Sequence, residues 1–157
     1  MGSISDREVM EAAKKTLDGL KISSRMRVAS AHRTPEMVDE MAKTARDRGV
    51  RVIIAGAGYA AHLAGVIASK TTLPVIGVPL ASSDLLGVDS LLSTVQMPPG
   101  IPVATVGIGK AGAKNAAILA AQIIAVTDER VRKALEAQRA ETKDAVLLAD
   151  RDLMQSE

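Results

Sequence analysis

Met26-Arg27-Val28-Ala29-Ser30-Ala31-His32-Arg33-Thr34-Pro35 passes from an apolar segment of strand character to a proline that can open a helix. The turn between them carries a hydroxyl, an imidazole and a guanidinium. In open α/β sheets the C-terminal ends of the strands are where ligands bind. A second junction of this kind follows the apolar segment 50–55, in Gly56-Ala57-Gly58-Tyr59-Ala60-Ala61-His62-Leu63. The chain has two histidines, His32 and His62, and both fall at strand-to-helix turns.

Four β-rich segments, 26–30, 50–55, 73–79 and 101–108, alternate with helical ones at 5–20, 35–48, 60–70, 85–96 and 111–126. Near-continuous apolar strands separated by helices mark a parallel sheet covered on both faces. The pattern predicts one α/β domain over residues 1–157: a three-layer α/β/α doubly wound core (1–126) and a C-terminal helical tail (127–157). The tail has helical spacing and many charges, and is expected to pack on a neighbouring subunit. Segment 35–48 puts Met37, Val38, Met41 and Ala45 on one stripe, so it lies on the outside of the subunit. Segments 60–69 and 116–126 are apolar nearly all round and need cover on several sides. In so small a domain a second copy is expected to supply it, which predicts a homo-oligomer.

Met1-Gly2-Ser3-Ile4-Ser5-Asp6 reads as a glycine turn leading to a helix capped by Ser5 or Asp6. A doubly wound fold places a strand before such a turn. The expectation is either a start further upstream or a sheet lacking one strand, and the first is preferred.

At 157 residues, 24% charged and 47% hydrophobic, the chain is long enough for a sizeable core and reads as globular. The absence of cysteine excludes disulfides, thiolate nucleophiles and thiolate metal sites. A cytoplasmic location is the default. The longest apolar stretch, 116–126, is interrupted by Gln122 and is too short to span a bilayer, so no membrane partner is expected. The net charge is +2 with basic and acidic residues interleaved, and one tyrosine is the only aromatic residue. Without stacking platforms, nucleic acid binding is not expected.

Gly56 to Ala61 fits the dinucleotide pattern G-x-G-x-x-A, and Gly107-Ile108-Gly109-Lys110-Ala111-Gly112 fits G-x-G-x-x-G. Two matches in one small domain tell against dinucleotide binding, since the fingerprint belongs to the first βα unit. Glycine turns presenting backbone N–H groups to an anion remain open. His32 reads either as a turn residue or as an acid/base group on a ligand-binding edge. His62, by itself, reads as a neutral imidazole at the start of an apolar helix. Arg33 near a helix start points to an anionic ligand such as phosphate, or else to an ion pair with Glu36 or Asp39. Ser3, Ser5 and Asp6 either cap a helix or hold phosphate and sugar hydroxyls. No carboxylate is spaced to join either histidine, so no metal is expected.

Several longer motifs carry a resemblance. They include Met1-Gly2-Ser3-x-Ser5-Asp6, Ser30 to Pro35, Ile53 to Gly58, Ala60-Ala61-His62-Leu63, Leu73 to Pro79, Asp89-Ser90-Leu91-Leu92-Ser93, Val95-Gln96-Met97-Pro98 and Ile108 to Ala117. Together they resemble the PurE family, N5-carboxyaminoimidazole ribonucleotide mutase of purine biosynthesis, over residues 1 to about 125. The resemblance implies a flavodoxin-like subunit in an octamer with tails wrapped onto neighbours. It implies transfer of a carboxylate from the exocyclic nitrogen of a ribonucleotide to ring carbon C4, without ATP, metal or organic cofactor. By motif, His32 is implied as general acid/base, Ser3, Ser30 and Arg33 as phosphate contacts, and Asp6 as the ribose contact. Ser5, Ala57, Gly58, His62 and Leu63 are implied to line the pocket for base and carboxylate. Tyr59 stands where the family usually has glycine and Ala64 where it usually has proline, both expected to flank that pocket. The second reading is direct carboxylation of aminoimidazole ribonucleotide, and the third a nucleotide-binding oligomer without chemistry.

Overall fold

Val75-Ile76-Gly77-Val78-Pro79 is buried at every position, as a parallel strand covered on both faces must be. In the computed structural model, which describes residues 1–156, this is the middle strand, β2, of a parallel sheet in the order β1-β2-β3. The strand β1 spans Ile53–Ala57 and pairs in the register Ile53 with Val75 through Ala57 with Pro79. The strand β3 is only Ala104–Thr105, opposite Ile76 and Gly77.

Alternation along β2 sends its side chains into two separate layers. Ile76 and Val78 pack with Met10 and Leu17 of α1 (Arg7–Gly19) and with Ala113, Ala116 and Ala117 of α5 (Gly109–Ala125). Val75 packs on the other face with Val38 and Ala42 of α2 (Pro35–Thr44) and with Leu63 and Ile67 of α3 (Leu63–Ala68). Full burial of each such Val, Leu or Ile is worth about 1.5–3 kcal/mol. The alanines of α5 are fully buried at 113, 116, 117 and 121, which lets its backbone come close to α1 and the sheet. The helix α4 (Val88–Val95) covers β2 and β3. This is the expected three-layer doubly wound, flavodoxin-like arrangement.

The tail is a single helix, α6 (Glu129–Met154), within the expected 127–157. Asp128 caps it by accepting from Arg130 N and Val131 N. Val131 and Leu135 anchor its first turns against Leu20 and Ala121. Beyond residue 140 every described position is exposed, including Val146, Leu147, Leu148, Leu153 and Met154. Glu157, the last residue assigned to the tail, lies outside the described residues. Within the chain α5 is covered by α1, the sheet and the first turns of α6, while Ile118, Leu119, Ile123 and Ile124 stay half-buried.

One expected strand is corrected. Segment 26–30 is not part of the sheet, because a strand exists only through a paired backbone and this segment meets almost none. Met1 N donates to Arg27 O at 2.9 Å, and Ala29 N donates to Met1 O at 2.9 Å while Gly2 N donates to Gly56 O at 3.1 Å. Met1 and Gly2 thus lie between this segment and β1 and join the two. The remaining elements match the expected ones with altered ends: β1 runs on to Ala57, α5 starts at Gly109, the others are shorter, and 101–108 contributes two strand residues.

Gly77 shows how tightly α3 and α4 are drawn onto β2. A side chain there would run into Thr94 Cγ2, with Val103 Cγ1 3.0 Å and Ala64 Cβ 3.4 Å away. Gly77→Ala is expected to destabilise the fold by about 1–3 kcal/mol, the usual range for overpacking. A urea midpoint equal to that of the parent chain would show that this contact is not close.

Candidate active site

Three turns converge on the C-terminal ends of the strands. The first is a 3-10 turn, Ile4–Asp6, closed by a reciprocal cap: Ser3 N donates to Asp6 Oδ2 at 2.9 Å and Ser5 N to Ser3 Oγ at 3.3 Å. Ser5 Oγ also donates to Ser3 Oγ at 2.9 Å. Asp6 is buried, with 6% of its surface exposed. The three N-terminal site residues are therefore held together by their own hydrogen bonds, as a capping box requires.

In the second turn Thr34 closes the loop before Pro35, its Oγ1 accepting from Ser30 N at 2.9 Å and donating to Ser30 O at 3.1 Å. The Ser30 hydroxyl accepts from Arg33 N at 3.2 Å and from Arg33 Nε at 3.4 Å. Arg33 Nη2 then reaches Gly2 O at 3.2 Å. Neither Glu36 nor Asp39 takes this guanidinium: Asp39 is engaged by Lys43 at 2.6 Å and Lys70 at 3.3 Å. Arg33 is exposed and tied to neutral acceptors, so its charge is available to an anion.

The third turn leaves β1 and leads into α3. Ala57 lies beside the N-terminal turn, 4.0 Å from where a Gly2 Cβ would stand, and its carbonyl accepts from Leu80 N at 3.0 Å. His62 is the N-cap residue of α3. Across the gap between the second and third turns, His32 Nε2 and His62 Nδ1 are 2.8 Å apart. The rings meet edge to face with centroids 4.9 Å apart. One nitrogen donates and the other accepts, so a proton lies between the two imidazoles. The helices that carry these histidines are also linked, since Asp39 of α2 bonds Lys70 just beyond α3. The Lys43 ammonium, opposed by desolvation and helped by Lys70, holds the Asp39 carboxyl below its ordinary range. That link is complete above the ordinary aspartate range and is lost as pH falls through the lowered value.

Two residues of the third turn sit differently from expectation. Ala64 is 2% exposed and faces Gly77 in the core, so it does not line a pocket; Leu63 likewise buries its side chain among Val38, Ala42 and Val75. Tyr59 is 62% exposed and has φ +54°. Ser82, which the sequence did not single out, fills the space beside Gly58 that a side chain would need. The signal that could have found it is its position just past β2, at the same sheet edge. A groove of about 620 Å³ lies elsewhere, between α5 and α6, lined by Ile118, Leu135, Thr142 and Val146 among others.

The site thus sets a pair of imidazoles beside an arginine–hydroxyl cradle in a doubly wound α/β protein. Comparison with known proteins gives the family. A family model described as AIR carboxylase matches residues 1–145. The N5-carboxyaminoimidazole ribonucleotide mutase of Bacillus subtilis is 58% identical over 147 residues, covering 94% of this chain and 91% of that one. The protein of the same name from Pyrococcus abyssi is 56% identical over 143 residues, covering 91% and 81%. The crystal structure of Treponema denticola PurE superposes with a TM-score of 0.87 at 30% identity, covering 98% of this chain and 94% of that one. The chain belongs to the AIR carboxylase family.

Tyr59 provides a test of the turn. In the left-handed region a Cβ costs about 1–2 kcal/mol, and glycine alone escapes it. Tyr59→Gly is therefore expected to be more stable than Tyr59→Ala, by about 1 kcal/mol in denaturant unfolding. An alanine variant at least as stable as the glycine variant would mean that residue 59 is not held at positive φ.

Proposed function

We propose that the chain is a cytoplasmic N5-carboxyaminoimidazole ribonucleotide mutase of purine biosynthesis, with His32 as its general acid/base. The observation that carries the residue assignment is the 2.8 Å contact between His32 Nε2 and His62 Nδ1, beside the Arg33–Ser30 pair. The phosphate sits on Arg33, Ser30 and Ser3, and Asp6 accepts from the ribose hydroxyls. Ser5, Ala57, Gly58, His62 and Leu63 surround the base and the carboxylate, Leu63 through its backbone.

The chemistry balances with one proton carrier. The bond between the exocyclic nitrogen and the carboxylate carbon breaks, its electron pair stays on nitrogen, and nitrogen takes a proton from His32. Carbon C4 of the ring then attacks the carbon dioxide so released, and the C4 proton returns to His32. An imidazole suits both directions because its ordinary pKa lies near neutrality. His62 holds the ring of His32 in one tautomer and orientation until substrate displaces the contact. Backbone amides at the Gly58 turn and an enclosed site keep carbon dioxide from bulk water between the two steps. No step calls for ATP, a metal or an organic cofactor.

The assembly belongs to the same reading. The exposed apolar side chains of α6, Val146, Leu147 and Leu148 among them, and the groove it forms with α5 suit tails exchanged between copies in an octamer. Light scattering is expected to give eight times the 16.4 kDa chain mass, and a monomer mass at micromolar concentration would reject the assembly.

Purified protein given N5-carboxyaminoimidazole ribonucleotide without ATP is expected to form the C4-carboxylated product rapidly. Turnover only of aminoimidazole ribonucleotide with bicarbonate would identify a direct carboxylase instead. His32→Asn is expected to lower kcat by about 10²–10⁴-fold, the usual worth of general acid/base catalysis, with product affinity nearly unchanged. Full activity in that variant would remove His32 from the proton path.

A further inference from the structure

Ser82 lies against the Gly58 turn with its hydroxyl uncommitted. A Cβ on Gly58 would stand 2.5 Å from Ser82 Cβ, would overlap Ser82 Oγ, and would be 3.3 Å from Leu80 O. The serine side chain therefore occupies the space that glycine leaves open, in direct contact with the backbone between β1 and α3. Its position is fixed from the main chain: Ser82 N donates to Leu80 O and Leu80 N to Ala57 O, each at 3.0 Å. The hydroxyl is thus set at the same sheet edge as His62, against the Gly58 turn, where the mutase reading puts the carboxylate.

The two other hydroxyls that follow β2 nearby already donate to acceptors of the chain. Ser83 Oγ donates to Asp89 Oδ2 at 2.7 Å and accepts from Leu85 N at 3.2 Å. Ser90 Oγ is shared between Leu80 O and Gly87 O, each at 2.9 Å. Ser3 and Ser30 accept within their own turns. Among the described residues Ser82 Oγ makes no hydrogen bond within the chain, and the residue is half-buried rather than sealed from solvent. Its O–H is therefore free to donate to a ligand at the Gly58 turn.

We propose that Ser82 is a binding residue for the migrating carboxylate, donating a hydrogen bond to one of its oxygens. This rests on the mutase reading above and adds a residue to it. The group is in turn a carbamate on nitrogen, free carbon dioxide and a carboxylate on carbon. A neutral donor can follow it through all three. A lysine or arginine at this place would favour the charged forms over carbon dioxide and deepen the ground state. Ser82 gives up no proton and forms no bond. The carbon–nitrogen bond breaks, the carbon–carbon bond forms, and the proton passes through His32.

The test compares Ser82→Ala and Ser82→Thr with the parent enzyme, with thermal melts as the control for folding. Two quantities are read: kcat/KM for N5-carboxyaminoimidazole ribonucleotide, and the fraction of consumed substrate released as aminoimidazole ribonucleotide and free carbon dioxide. Losing one hydrogen bond to a charged group is expected to lower kcat/KM in the alanine variant by about 10- to 100-fold. The released fraction is expected to rise, and threonine to restore both. An alanine variant with unchanged kcat/KM and unchanged partition overturns the role of Ser82. Equal losses in the two variants that track a lowered melting temperature overturn it in favour of packing. A parent enzyme that does not convert the substrate overturns the mutase reading itself, and this role with it.

Discussion

A parallel strand has no solvent face to spare, and that constraint organises the molecule. Every residue of β2 is buried, so its backbone must pair on both sides and its side chains must meet a helix layer above and below. Gly77 is where that demand is tightest, with Thr94, Val103 and Ala64 closing on one Cα. Once the strand is so enclosed, chain crossings are possible only at its ends. The turns that follow β1 and β2, and the turn ahead of α2, are thereby gathered at one edge. Polar groups can gather there because these turns, though they send Leu80 and Ala61 into the core, leave most of their side chains at the surface.

The site is built from short hydrogen-bonded turns, each rigid on its own. The reciprocal cap Ser3–Asp6, the Ser30–Thr34 closure and the Leu80–Ala57 backbone bond hold their side chains before any ligand arrives. Such preorganisation is what a reaction with a volatile intermediate needs, since orientation cannot be recovered once carbon dioxide has escaped. The ionic groups divide the labour. Arg33 is exposed and tied to neutral acceptors, fit for phosphate. In the proposed mechanism the reacting end is served by histidines, amides and a hydroxyl, none of which carries a permanent charge.

Much of this was legible in the sequence because the relevant signals are local. Pro35 marks a helix start, the glycines mark the turn after β1, and apolar runs bounded by such turns mark parallel strands. The two histidines fall at turns that the fold brings together, and their contact across a separation of 30 residues follows from topology. What was illegible depends on partners that are distant in sequence. Segment 26–30 has strand composition but finds no strand partner, bonding Met1 on one side and its own turn at Thr34. Ala64 looks like a pocket residue by its place after His62, yet the helix rotates it onto Gly77. Ser82 has no motif at all, and its meaning appears only from the space above Gly58. The start of α3 at Leu63, later than expected, reflects Tyr59 in the left-handed region, which breaks the chain direction before a helix can form.

The most direct test of the proton path is nitrogen NMR of the enzyme with 15N-labelled histidine, because the chain contains only two such residues. The expected result is a 15N–15N coupling across the hydrogen bond between His32 Nε2 and His62 Nδ1 in the free enzyme. Adding 4-carboxyaminoimidazole ribonucleotide is expected to abolish that coupling and shift the His32 ring signals as the imidazole turns to the ligand. Two uncoupled imidazoles whose signals do not respond to the ribonucleotide would contradict the account.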